Sequence, residues 1–539
     1  MFILSQEQLK KLSFIAIFIF SIVVFLIKLH VFIHSNDYIA YDGAFYSDIA
    51  LNVYNGNGLI TNISSFDQFY KVLPRPAQVY PLWPFIGGNL AHLLPNSMKF
   101  VIKLQFINLI FSIFSLYLLY FLILNLLKEL KKNKYEFSFI FTAFFYLTAT
   151  YFAYITKPYT ESLTIFLIFS SLLIFFNILD NKNNKQSKYF SLALGLLFFL
   201  SFLARSQSSI FIFVMFLSMI YLLYKKEILL KNFLIIWLSS FIFVSFYFYY
   251  LYTIRAEHFN FLSLLIFQDN YDLSKYPPLP HIVNLPFYLR FIHGIKAFFS
   301  FNYTSGVTNS GILIYLLPLT LFKFKYYNIK IKIIILIGAV YLLTLLSGEM
   351  TIALRWLFGH RHGILIIFLT EFSFLGYIIY LNERKNNYNK IFIFAFAVLL
   401  VSLFASHYIR KVLVPSVYKN KLSISLMNET YDFLKSEKIK LNRNVKIISL
   451  NARNLALFSR NLGYFFESRR NDWKEYLIYK MKYLNIDYFI INRYYDYYTK
   501  DKIVDYFSIM KDNTPDEFEL VKSFKENKHN NWIGIYRLK

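Results

Sequence analysis

The chain has 539 residues, 57% of them hydrophobic and only 16% charged, with a formal net charge of +26. A soluble protein has no need of so many long apolar runs, and runs of about 18 residues or more, long enough to cross a hydrocarbon core, recur along the chain. The lysine excess does not read as a nucleic-acid surface, because the lysines sit in short clusters between apolar runs and no contiguous basic domain exists. The absence of cysteine excludes disulfides and thiolate metal sites.

The first apolar run, Leu12 to Phe32, follows Lys10 and Lys11. It is too long for a signal-peptide core and no small-residue cleavage pattern follows, so it reads as an uncleaved first helix with the N-terminus inside. Further basic clusters are Lys128 to Lys134, Lys182 to Lys188, Lys225 to Lys231, Lys323 to Lys332 and Arg384 to Lys390, each between two apolar runs. With every cluster on the cytoplasmic side, the positive-inside rule is satisfied throughout. The remaining connections then lie outside: the long loops 34–99 and 255–310, and short turns near Lys157, Arg205 and Arg355. This count gives roughly eleven membrane helices, the last ending near Ala405. Beyond Pro415 the chain turns polar, with "NVKIISLN" and "IDYFIIN" as short buried strands and "NETYDFLKSEK" and "DWKEYLIYKMKYL" as helices. The expected fold is mainly α: a polytopic transmembrane helical bundle over 1–410, with a small extracytoplasmic α/β C-terminal domain over 411–539. The expected location is the inner (plasma) membrane.

The first outside loop begins "YIAYDGAFYSDIALNVYNGNGLITN" and continues to "RPAQVYPLWPFIGG". Phe45, Ile49 and Val53 follow Asp42 at helical spacing, and Gly56 and Gly58 end the run. This predicts a short amphipathic helix on the outer membrane surface. Asp42 has two readings: an ionisable group at a membrane boundary that marks a functional site, or a helix N-cap.

The motif "DGAFYSDIALNVYNGNG" directly after the first membrane helix resembles the GT-C superfamily of glycosyltransferases. It is most similar to the branch of protein O-mannosyltransferases and lipid A aminoarabinose transferases. "YPLWPFI", "KPYTESLTIFLIF", "LGLLFFLSFLARSQSSIF" and "RWLFGHRHGILIIF" are similar to later family motifs, in the family's order. Gly43 stands where many relatives carry Glu. Asp48 is the nearest acidic alternative, on a different side of the helix.

The resemblance implies a GT-C-like bundle and a polyprenyl-phosphate sugar donor. The acceptor would be a glycan, a lipid or a protein, with membrane lipid around the site and no nucleic acid. Asp42 would be the catalytic base for an inverting displacement. Lys71, Arg75, Arg205 and Arg355 are the candidates for holding the donor phosphate; Arg205 and Arg355 also read as interfacial anchors. Tyr46, Asp48, Glu161, His360 and His362 are candidate substrate-binding residues. Glu161 reads more simply as an acidic helix start beside Lys157. His360-Arg361-His362 is a cationic patch, and a metal there has little support without a nearby carboxylate. No cofactor is implied with certainty, and a divalent cation stays open. Two rival readings stand beside the transferase: a transporter or flippase for a lipid-linked glycan, and a non-catalytic glycan-assembly subunit.

Overall fold

The computed structural model describes residues 5–34, 41–63, 73–76, 81–128, 134–147, 160–181, 184–205, 208–253, 324, 327–352, 424–449, 452–465, 473–492, 510–511, 514–526 and 531–539. These fall into two compact units. One is built from residues up to 33 and from 105 to 352, the other from 41 to 104 and from 424 to 539.

In the first unit, helices α1 (Gln6–His34), α4 (Phe100–Leu126), α6 (Glu161–Asp180), α7 (Ser187–Ala204) and α9 (Leu230–Thr253) each contain a stretch long and apolar enough to cross a membrane. They are joined by α5 (Lys134–Leu147), α8 (Ser208–Tyr224) and α10 (Ile329–Ile352). The chain is therefore a multi-pass membrane protein. Helix α1 shows how the sequence chooses its faces. Ser13, Ile17, Ser21, Val24 and Lys28 recur every three or four residues and are buried, while Phe14, Ile15, Phe18, Ile19 and Leu26 are exposed. The exposed face is apolar, as a lipid-facing surface requires. On the buried face two serines meet tyrosines of α4: Ser13 Oγ lies 2.7 Å from Tyr120 Oη and Ser21 Oγ 2.9 Å from Tyr117 Oη. Hydroxyls hidden from water in lipid find such partners or lose their hydrogen bonds. Similarly, the Asn232 side chain donates to Ser187 Oγ and Ser240 Oγ to the Gly195 carbonyl, tying α9 to α7.

At one end of this bundle, Lys330 at the start of α10 reaches Asp180 (2.7 Å) and Asn125 (2.6 Å), and Lys128 lies 3.7 Å from Asp180. Two basic clusters from distant parts of the sequence thus meet at one acidic side chain.

The second unit is α/β. Its C-terminal part holds α11 (Ile424–Leu441), β3 (Lys446–Ser449), α12 (Ala452–Ser459), β4 (Leu462–Phe465), α13 (Trp473–Leu484), β5 (Tyr488–Asn492), β6 (Phe518–Glu526) and β7 (Asn531–Leu538). The sheet order is β4-β3-β5-β7-β6. β3 runs parallel to β4 and β5, and β7 antiparallel to β5 and β6. Both strands and both helices expected from the sequence are present. Ile447, Ile490 and Ile535 pack with Leu426, Leu434 and Leu455 of α11 and α12 on one face. Ile448, Phe489 and Tyr536 pack with Trp473, Leu477 and Met481 of α13 on the other.

The N-terminal part of this unit is the first loop. It contains α2 (Tyr41–Tyr54), β1 (Ile60–Thr61), β2 (Arg75–Pro76) and α3 (Leu82–Leu90), followed by a 3-10 turn at Ala91–Leu93. The loop does not stand apart from the C-terminal residues. Ile63 pairs in parallel with Gly463 of β4, and Leu73 joins the core around Tyr464 and Trp473.

Candidate active site

Helix α2 has the extent its sequence suggests, and Asp42 sits in its first turn. Its C-terminus is a Schellman closure: Gly56 N–H donates to the Val53 carbonyl and Asn57 N–H to the Asn52 carbonyl. Gly56 and Gly58 have φ of +78° and +79°, a region that residues with a Cβ rarely enter.

The surroundings of α2 differ from the expected surface helix. Ala44, Tyr46, Ser47, Asp48, Ile49, Ala50 and Asn52 are all buried. Helix α3 packs on one side and α12 on another, where Ala44 meets Leu457, with Leu51 and Phe458 beside them. The small residues Ala44, Ser47 and Ala50 let neighbours approach from several directions, which a one-faced reading of Phe45, Ile49 and Val53 does not anticipate. Tyr46 is buried and meets the Phe45 ring edge-on at 5.8 Å. Trp83 of α3 is also fully buried.

Asp48 is 2% exposed and its carboxylate is spent within the protein. One oxygen accepts from Thr61 Oγ1 at 2.9 Å and from the Asn62 backbone N–H at 2.7 Å; the other accepts from Asn62 Nδ2 at 3.2 Å. Asn52, one turn on, donates to the carbonyls of Asp48 and Ile60, both at 3.1 Å. Burial pushes the Asp48 pKa up to about 6, and the three donated bonds only partly offset it. Among the described residues, no three His, Asp or Glu side chains gather as metal ligands.

β1 pairs antiparallel with β2, with Thr61 opposite Arg75. The backbone of Arg75 is thereby held beside the residues that Asp48 grips. The side chains of Asp42 and Arg75, and the whole of Lys71, Arg355, His360 and His362, lie outside the described residues.

In the membrane unit, Arg205 at the end of α7 and Glu161 at the start of α6 form a buried ion pair, Arg205 Nη1 to Glu161 Oε1 at 2.6 Å. Glu161 therefore does more than start a helix: it holds Arg205. Sequence reading did not single out Thr61, and only the fold brings Thr61 and Asn62 to Asp48. It also passed over Lys103, which is buried and donates to Tyr54 Oη (3.4 Å) and the Ala91 carbonyl (3.2 Å). A lone lysine in the first turn of an apolar helix was the available signal.

No protein-family model and no curated protein sequence matches the chain. Solved structures do. The archaeal oligosaccharyltransferase AglB from Archaeoglobus fulgidus, in complex with an inhibitory peptide and a dolichol-phosphate, aligns with 84% of this chain and 65% of its own, at 11% identity and a TM-score of 0.50. The same organism's oligosaccharyltransferase tethered to an acceptor peptide containing the NVT sequon aligns with 90% of this chain and 69% of its own, again at 11% identity and 0.50. ArnT from Cupriavidus metallidurans bound to undecaprenyl phosphate aligns with 97% of both chains at 9% identity and a TM-score of 0.49. The chain thus spans about two thirds of the archaeal enzymes. Over most of its length it shares the fold of the archaeal oligosaccharyltransferase.

Proposed function

We propose that this protein is a glycosyltransferase that moves a sugar from a polyprenyl-phosphate donor to a glycan, lipid or protein acceptor on the extracytoplasmic face of the plasma membrane. What carries the reading is the fold: 90% of the chain aligns with an oligosaccharyltransferase. An AglB structure of that fold is in complex with a dolichol-phosphate. The end of the bundle where Lys128 and Lys330 meet Asp180 is oriented to the cytoplasm by the positive-inside rule.

In the proposed reaction an acceptor hydroxyl attacks the anomeric carbon opposite the lipid phosphate. The new C–O bond forms as the bond to the phosphate breaks, and the configuration inverts. Asp42 takes the hydroxyl proton, an effect typically worth about 10²–10⁴ in rate. The departing phosphate gains negative charge, which fixed cationic groups stabilise. Arg205, anchored by Glu161, is one such group. Arg75, Lys71 and Arg355 are the others, and His360 and His362 extend that cationic surface. Gly43, where relatives carry Glu, leaves the base role to Asp42 alone.

The test is sugar transfer by purified protein in lipid with a panel of polyprenyl-phosphate sugars, wild type beside Asp42→Asn. Wild type should release polyprenyl phosphate, and Asp42→Asn should bind donor but turn over at least about 100-fold more slowly. Equal rates would remove Asp42 as the base. A flippase or a non-catalytic subunit would turn over no donor at all.

A further inference from the structure

Between helix α2, which carries the proposed base, and the C-terminal sheet runs a chain of hydrogen bonds that starts at Asp48. Helix α2 carries Asp42 in its first turn and Asp48 in its second. Asp48 grips Thr61 and Asn62 through three hydrogen bonds, and Asn52 grips Ile60. On its other side Asn62 offers its carbonyl to Gly463 N–H of β4 at 2.9 Å, and Ile63 is fully buried where it pairs with Gly463. Ten residues further, Leu73 N–H donates to Tyr464 Oη, the next residue of β4. Helix α12, which precedes β4, packs directly on α2. The first loop is thus held at two places by one edge of one sheet, and α2 is tied to that loop through Asp48 and Asn52.

A carboxylate is a costly choice for an internal fastener, since burial disfavours its charge. Yet every acceptor position used here faces an N–H or O–H donor from one short segment, Thr61-Asn62. That is an arrangement for fixing geometry, because three bonds to two residues leave the strand no freedom to slide or turn against the helix.

We propose that Asp48 is a positioning residue: by clasping Thr61 and Asn62 it fastens the helix bearing Asp42 to the edge of the C-terminal sheet, so that the C-terminal domain sets where the base stands. This rests on the assignment of Asp42 as base. A base must sit within about 3 Å of the proton it takes, and a misplacement of about 1 Å costs on the order of 100-fold in rate.

The experiment compares Asp48→Ala with Asp48→Asn in full-length protein in lipid, using polyprenyl-phosphate sugars. The alanine removes the clasp. The asparagine keeps its shape, with its carbonyl oxygen taking the bonds from Thr61 and the Asn62 N–H while the Asn62 amide turns over to accept from its NH2. Asp48→Ala should lose about 10–100-fold in kcat with the donor KM unchanged, and Asp48→Asn should recover most of that loss. Full kcat in folded Asp48→Ala overturns the proposal. So does an Asp48→Asn as slow as the alanine variant, which would mean the charge itself acts on substrate. If Asp48→Ala does not yield folded protein, Thr61→Val removes one of the three bonds, and a kcat equal to wild type in that variant overturns the proposal equally. Asp42→Asn, run alongside, separates the two assignments. If it is inactive while Asp48→Ala is active, only the clasp falls. If it is as active as wild type, the base assignment falls.

Discussion

A buried carboxylate that titrates near neutrality leaves a mark on stability. The folded-state pKa of Asp48 is raised by burial to about 6, above the ordinary carboxylate value of 3.8. The folded protein therefore binds this proton more tightly than the unfolded chain, and stability from this group rises as pH falls from about 6 towards 4. The full difference is on the order of 3 kcal/mol. In thermal melts of detergent-purified protein, wild type should gain stability between pH 7 and pH 5. Asp48→Asn, which has nothing to titrate there, should lack that gain. Identical slopes for the two proteins would contradict the burial-driven shift. Arg205 stands in a different position: an Arg does not shed its charge when buried, so Glu161 is the group that makes its burial tolerable. Removing one partner alone would leave an uncompensated buried charge, at a cost of about 3–5 kcal/mol.

At the scale of elements, the contact of α2 with α3 depends on one close approach. A Cβ at Gly88 would stand 2.6 Å from the Ala50 carbonyl oxygen and 2.8 Å from Val53 Cβ. Gly88→Val should push α3 off α2, lower stability by about 1–3 kcal/mol, and reduce transfer because α2 carries Asp42. A melting temperature and rate equal to wild type would show that the two helices do not constrain each other. The limits of α2 were legible in the sequence because helical spacing and a Gly-x-Gly closure are local signals. Its environment was not, because the eight-residue α12 that covers it lies some 400 positions later. The same division holds in the sheet. β3 and β5 announce themselves as apolar runs. β6 alternates Glu519, Lys522 and Lys525 with apolar residues and reads as polar surface, and β4 is four residues long with a glycine in it.

At the scale of the molecule, the described residues pack as two compact units, each assembled from separate stretches of the chain. The first loop and the C-terminal residues form one compact unit. They should therefore open together. Tyr464→Phe removes the hydroxyl that accepts from Leu73 N–H and leaves a buried donor unpaired, at a cost of about 1–3 kcal/mol. Hydrogen exchange should speed up at Leu73 and at Thr61 to Ile63 alike; acceleration at Leu73 alone would mean the two attachments are independent. Glu161 and Arg205, which pair in the structure, stood in motifs legible along the chain, but the clasp was not legible. It joins residues whose types are ordinary and whose meeting depends on the finished fold.

Leu73 is bonded to a residue 391 positions further along the chain. During synthesis the ribosome makes the first loop well before its sheet edge, so the loop must wait for a partner not yet translated. A polypeptide released early would carry Asp42 with nothing to seat its helix. Seating of helix α2 on that sheet edge is thereby deferred until β4 has been made.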